Sequence, residues 1–169
     1  MAPLLPDLLA PGLRILFCGT AAGTVSARRG HYYAGPGNRF WGLLAEAGIT
    51  PRLLDPLEDH LMPGFGLGLT DLAKEVSGMD KAIPESAYLP QRLAEVVAQW
   101  QPAALAFTSL KAARTALGQK DLRPGRLAEA PQWPGMALWA LPSPSRANGH
   151  FSAGPWLELG RWHRAADGR

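Results

Sequence analysis

The sequence predicts one α/β domain, a sandwich in which helices cover both faces of a mostly parallel sheet of about four strands. Two observations carry that expectation. Strand-sized apolar runs alternate along the chain with stretches of helical period, the order that a parallel sheet with crossover helices requires. The chain is also the right size for one core: 169 residues, 47% hydrophobic and 18% charged, a length at which roughly 70% of the unfolded surface can be buried. Residues 1–169 are therefore read as a single domain. The 19 Gly and 16 Pro fall singly between apolar runs, as turns rather than as low-complexity tracts.

The elements follow in order. The opening MAPLLPDLLAPGLRILF reads as mature sequence, because Pro3, Pro6 and Pro11 interrupt its apolar stretch, Asp7 lies inside it and no basic residue precedes it. Arg14–Thr20 (RILFCGT) has the apolar character of a buried parallel strand that opens onto a loop. Ala21–Gly37 is a long, small-residue, basic loop, and connections of this length are usually functional. Asn38 is placed to cap a helix running through Phe40, Trp41, Leu43, Leu44 and Ala47 to Gly48. Phe65–Thr70 (FGLGLT) predicts a second strand that delivers Asp71 at its carboxyl end. Leu89–Trp100 carries Leu93, Val96, Val97 and Trp100 on one helical stripe and stops at Gln101-Pro102. Ala103–Phe107 predicts a strand, Ser109–Leu117 a helix, Met136–Leu141 a strand and Trp156–Ala166 the last helix.

Composition excludes several classes. A lone cysteine, Cys18, rules out an intrachain disulfide, a Cys₄ zinc site and an iron–sulfur cluster, and inside an apolar strand it reads as inert core. The expected compartment is the cytoplasm. No apolar run approaches the roughly 20 residues a membrane helix needs. Seventeen Lys and Arg against fourteen Asp and Glu give a net charge of +3, which permits nucleic-acid binding without demanding it.

In a parallel sheet the ligand site lies outside the carboxyl strand ends, so the loops after Thr20, Thr70 and Leu141 are expected to meet. They hold His31, Tyr32 and Tyr33 in a Gly-rich stretch, the carboxylate of Asp71, and a Ser/Pro turn with Arg146, Asn148 and His150. Aromatic rings stack on bases, backbone amides bond carbonyls or phosphates, and Ser and Arg grip nucleic-acid backbone. Gly19–Gly23 (GTAAG) lacks both phosphate-binding fingerprints, which disfavours a nucleotide enzyme.

Leu13–Trp41, with Arg-Ile-Leu-Phe-Cys-Gly at its head and Pro36-x-Asn38-Arg39-Phe40-Trp41 at its tail, closely resembles the mismatch-specific uracil-DNA glycosylases, relatives of the thymine-DNA glycosylases. Gly66-Leu-Gly-Leu-Thr70, Gln101-Pro-x-Ala-Leu and Leu141-Pro-Ser-Pro-Ser145 resemble further motifs of that family, in order and at family spacing, so that the likeness covers residues 7 to 150. It implies a uracil-DNA glycosylase-like sandwich and a monofunctional enzyme of base excision repair. Such an enzyme removes uracil, notably from G·U mismatches, with thymine and other damaged bases as further candidate substrates, and leaves an abasic site. The implied partner is DNA, duplex or single-stranded, bound by a monomer with no cofactor and no metal. Hypoxanthine-directed excision and a non-catalytic damaged-DNA-binding relative are the alternatives.

Two departures from the family shape the expected site. The first motif, Gly-x-Asn-Pro-Gly, uses its asparagine to position the attacking water, and that asparagine falls on Ala21. Asp71 is the substitute for the catalytic role, and its plainer role would be to cap a following helix. By the resemblance, Thr20, Ala21, Gly23 and Tyr33 form the base pocket. Uracil stacks on the Tyr33 ring, and the main-chain N–H groups of Thr20 and Tyr33 bond its carbonyl oxygens. The family's Gly-Leu-Ser-Arg is replaced after Pro144-Ser145 by Arg146-Ala147-Asn148-Gly149. Ser143, Ser145, Arg146, Ala147 and Asn148 are the expected DNA-binding residues, with Ala147 a poor plug for the duplex. His31 and His150 are expected to be structural or phosphate-contacting, and Arg28, Arg29, Lys111 and Arg114 an ordinary solvated face.

Overall fold

A computed structural model describes residues 4–166. Strand β1, Ile15–Ala22, lies buried in the sheet, paired in parallel with β2 (Leu67–Ser77) on one side and with β3 (Ala104–Phe107) on the other. Strand β5, Ala137–Ala140, continues the parallel set beyond β3, and β4, Gly125–Leu127, closes it as an antiparallel edge. The five strands run in the order β2-β1-β3-β5-β4. The expected mostly parallel sheet is present with one strand more than the sequence predicts, because three residues containing Gly and Arg carry no periodic signal.

Alternation along the strands builds two cores. Ile15, Phe17, Leu67, Leu69, Ala106 and Trp139 face helix α2 (Phe40–Glu46) and helix α5 (Gly154–Ala166), where Phe40, Leu44, Trp156 and Leu159 are buried. Leu16, Cys18, Leu105, Phe107 and Leu138 face helix α3 (Pro90–Trp100) and helix α4 (Leu110–Leu117) through Leu93, Val97, Ala112 and Ala113. Phe40 meets Phe17 and Trp156 edge-on, with ring centroids 5.4 and 5.9 Å apart, a favoured aromatic geometry. Ser109 caps α4 by accepting the Ala112 N–H, and the Asn38 side chain accepts the Phe40 N–H at the start of α2. No described helix is long and apolar enough to cross a membrane.

Three expectations are corrected. The loop Ala21–Gly37 is not wholly irregular: β1 runs on through Ala22, and Thr24–Arg29 forms a short helix, α1, ended by Gly30 at φ 78°. Phe65 is not in a strand but ends a 3-10 helix, Pro56–Phe65, whose N-terminus is held by a capping box between Asp55 and Glu58. Strand β2 does not end at Thr70 either. It continues to Ser77, so Asp71 sits within the strand, in register with Gly19, and no helix comes directly after it to be capped.

Candidate active site

The carboxyl end of the sheet opens into a cleft of about 580 Å³. Asp71, Thr20, Ala21, Gly23 and Tyr33 line it, and so do Ser143, Ser145, Arg146, Ala147 and Asn148, so the three groups of residues singled out in the sequence share one cavity. The loop after β3 joins them with Thr108 and Ser109, and the turn after β2 with Met79, Asp80 and Lys81. Sequence reasoning missed these five, although Thr108 stands directly beyond a predicted strand at the end where ligands bind.

Gly19 explains how the floor of the cleft is built. A Cβ on it would lie 2.6 Å from Asp71 Oδ1 and 3.2 Å from both Thr108 Oγ1 and Tyr33 Oη, so three oxygens converge over one bare Cα. The Tyr33 hydroxyl and Thr108 Oγ1 are hydrogen-bonded at 2.9 Å. Gly19→Ala is expected to push the Asp71 carboxylate aside and to destabilise the fold by about 1–3 kcal/mol through overpacking. Thermal denaturation set beside the activity of the same variant checks both effects.

Asp71 is 4% exposed. Burial pushes its carboxyl up to about 7, and Asp7 adds to that rise; Lys74, Arg92 and the Gly19 N–H, which donates to it, work in the opposite direction. A carboxylate poised near neutrality in a cleft is the expected state of a working acid or base. Beneath it runs a charged network. Asp7 pairs with Lys74 Nζ at 3.0 Å and with Arg92 Nη1 at 2.6 Å, and Arg92 Nη2 donates to the Asp71 carbonyl at 2.8 Å and to Thr70 Oγ1 at 2.7 Å. Lys74 also donates to the Tyr32 hydroxyl at 3.0 Å, which in turn donates to the Pro6 carbonyl at 2.9 Å. Burial disfavours ionised Asp7, but Lys74, Thr70 and Arg92 outweigh it and hold its carboxyl below the ordinary value.

Tyr33 is half-buried and adopts φ 50°, a left-handed conformation that costs a non-glycine residue about 1–3 kcal/mol and that clusters at functional sites. Its ring stacks on Phe40 with centroids 3.9 Å apart, so one ring face is already covered. The loop around it is braced. Asp59 accepts from the Tyr32 N–H at 3.0 Å and bonds His31 Nδ1 at 3.1 Å, and Ser26 Oγ accepts the Ala34 N–H. Between these anchored amides, the Tyr33 N–H has no hydrogen-bond partner among the described residues. His31 is thereby a structural brace; His150 is exposed.

The Ser143–Asn148 turn is fixed from within and from α2. Asn148 Nδ2 donates to the Ser143 carbonyl, and Ser143 Oγ and Ser145 Oγ accept the Ser145 and Ala147 amides. The side-chain amide of Asn148 thus gives one N–H to the turn and its oxygen to the His150 N–H, whereas each serine keeps its own O–H proton to donate outward. Arg39 holds the turn by donating from its amide to the Pro144 carbonyl and from Nη1 to the Ser145 carbonyl, both at 2.9 Å. Arg146 and Ala147 are exposed. Across the cleft, Thr20 Oγ1 donates to Asp80 Oδ1 at 2.6 Å.

A mostly parallel sheet with helices on both faces, a cleft at its carboxyl ends and a buried carboxylate in that cleft define an α/β enzyme-like domain. The same fold is seen in a solution NMR structure from Methanosarcina acetivorans described as "a putative Uracil DNA glycosylase", with a TM-score of 0.65, 20% sequence identity, and 95% of this chain and 96% of that one covered. The model of the Uracil DNA glycosylase superfamily matches residues 6–166, and the chain belongs to that superfamily.

Proposed function

We propose that the protein is a monofunctional DNA glycosylase that hydrolyses the N-glycosidic bond of uracil in DNA, G·U mismatches included, and leaves an abasic site. The observation that carries the reading is the placement of the Asp71 carboxylate beside Gly19 and Tyr33 on the floor of the cleft. Cleavage develops positive charge on the sugar and negative charge on the departing base. Water supplies the hydroxyl that bonds C1′, the C1′–N1 bond electrons leave with uracil, and the remaining proton passes to the base anion or to solvent. Asp71 either orients that water or stabilises the sugar cation, the duty that an asparagine at Ala21 would perform. Asp80 is the other carboxylate lining the cleft, and its exposed side chain is engaged with Thr20.

In this reading the Thr20 and Tyr33 amides receive the carbonyl oxygens of the flipped base and the free face of Tyr33 stacks on it. Ser143, Ser145 and Arg146 face the phosphates. Each pre-organised donor of this kind supplies about 2.7–4 kcal/mol of barrier reduction. The test is an oligonucleotide with one uracil, incubated with the protein and then treated with alkali, beside an identical strand carrying hypoxanthine. Alkali-labile cleavage at uracil is the expected result. Cleavage at hypoxanthine alone would move the substrate to deaminated purines, and tight binding without cleavage of either would leave a damage-binding protein.

A further inference from the structure

We propose that Met79 is the side chain this protein inserts into the duplex to hold open the gap left by an extruded base. The proposal rests on the glycosylase reading above and adds a residue to it. Its starting point is a mismatch between need and supply: a base that leaves the stack must be replaced by something, and of the two exposed residues of the Ser143–Asn148 turn Arg146 is charged and the apolar one, Ala147, offers one methyl group. Proteins that kink DNA from the minor groove insert Phe, Leu, Ile, Met or Pro between base steps, and the same apolar chains are suited to a vacated stack position.

Five large apolar side chains among the described residues are exposed, Leu4, Leu53, Leu57, Met79 and Leu89, and Met79 is the one that lines the cleft. It is 57% exposed, an unbranched apolar chain standing in water. Its backbone, in contrast, is held on both sides. The Gly78 N–H donates to the Ala22 carbonyl at 3.0 Å, the Met79 carbonyl accepts the Ala82 N–H at 2.8 Å, and Asp80 is tied to Thr20 at 2.6 Å. A flexible thioether on a clamped backbone suits insertion: the base-step it enters varies in shape, and the direction of entry does not. Lys81, which also lines the cleft, stands beside it to meet phosphate. The Thr20–Asp80 bond thus links the proposed base pocket to the proposed wedge.

The experiment compares initial rates of uracil release by the wild-type protein and by Met79→Ala, Met79→Leu and Met79→Gln on three substrates: a single strand, a U·A duplex and a U·G duplex. Opening a paired site costs unpairing and unstacking energy that a single strand is spared, so Met79→Ala is expected to lose on the order of 10–100-fold on U·A, less on U·G, and nothing on the single strand. Met79→Leu should keep duplex activity, and Met79→Gln, similar in length but polar, should fall with Met79→Ala. The single-strand rate reports that each variant is folded and that its chemistry is intact. An equal loss on all three substrates, or an unchanged U·A rate in Met79→Ala, would overturn the wedge while leaving the glycosylase reading in place. A wild-type protein that releases no uracil from any of the three would overturn both.

Discussion

Asp71→Asn is expected to slow uracil release by on the order of 10²–10⁴ and, in the same protein, to raise stability. Both effects have one origin. A carboxyl whose folded value lies near 7 and whose unfolded value lies near 4 binds its proton more tightly in the folded chain. The folded state therefore loses ground to the unfolded one as the pH rises through that window, and the deficit persists above it. Asparagine has the shape of the protonated form and no charge to bury. Urea denaturation at pH about 8.5 should show the variant ahead by a few kcal/mol, and the gain should shrink to a small remainder near pH about 4, where the parent carboxyl is neutral in the folded state and about half neutral in the unfolded one. In the proposed chemistry the ionised form does the work, so the wild-type rate should fall tenfold per unit below pH about 7. A wild-type rate that instead falls above that pH would make Asp71 an acid. A variant without stability gain at alkaline pH would mean that the carboxylate is well solvated.

The second large effect is expected one layer below. Lys74, 7% exposed, faces Asp7 at 3.0 Å and donates to Tyr32. Lys74→Met removes one partner of a buried pair, a change that typically costs about 3–5 kcal/mol, with Arg92 retained on Asp7 to hold the loss at the lower end. The cation also favours ionised Asp71, so its removal should move the acid limb of the pH–rate profile upward and depress activity at neutral pH beyond what the lower stability explains. Lys74→Arg should restore the limb. A pH profile that stays in place while the melting temperature falls would reduce Lys74 to a structural role.

The four parallel strands of the sheet were legible because they are apolar and bounded by Gly or Pro; the short edge strand β4 and the stretch beyond Thr70 were not. Hydropathy alone stops the strand at Asp71, yet it continues to Ser77, since the charges that would end it are answered by residues far away in sequence: Asp7 and Arg92. The Tyr33 region shows the same limit in another form. Its stretch reads as loop, while the left-handed backbone, the Phe40 stack and the bond to Thr108 depend on contacts the local sequence does not announce. Helix α1 has six residues between two glycines and no apolar stripe, and the 3-10 helix before β2 carries Pro63 and Gly64 within it. Asp80 and Met79 gave no signal as site residues because a bend after a strand looks alike whether it borders a cleft or open water. The three groups of expected site residues converge because a parallel sheet collects its carboxyl ends, a consequence of topology that the alternation of strands and helices does disclose.

The sheet order leaves β2 at one margin, where a row of unpaired backbone groups would invite another chain to add itself. The first described residues close that margin. Leu8 exchanges both backbone hydrogen bonds with Leu69 at 3.0 Å, and the Leu4 N–H donates to the Lys74 carbonyl at 2.9 Å. The same short segment carries Asp7, so the piece of chain that guards against self-association also supplies the counter-charge beneath Asp71. Shortening the chain ahead of Leu13 would thus couple two failures: an adhesive edge and a mistuned carboxylate would arrive together.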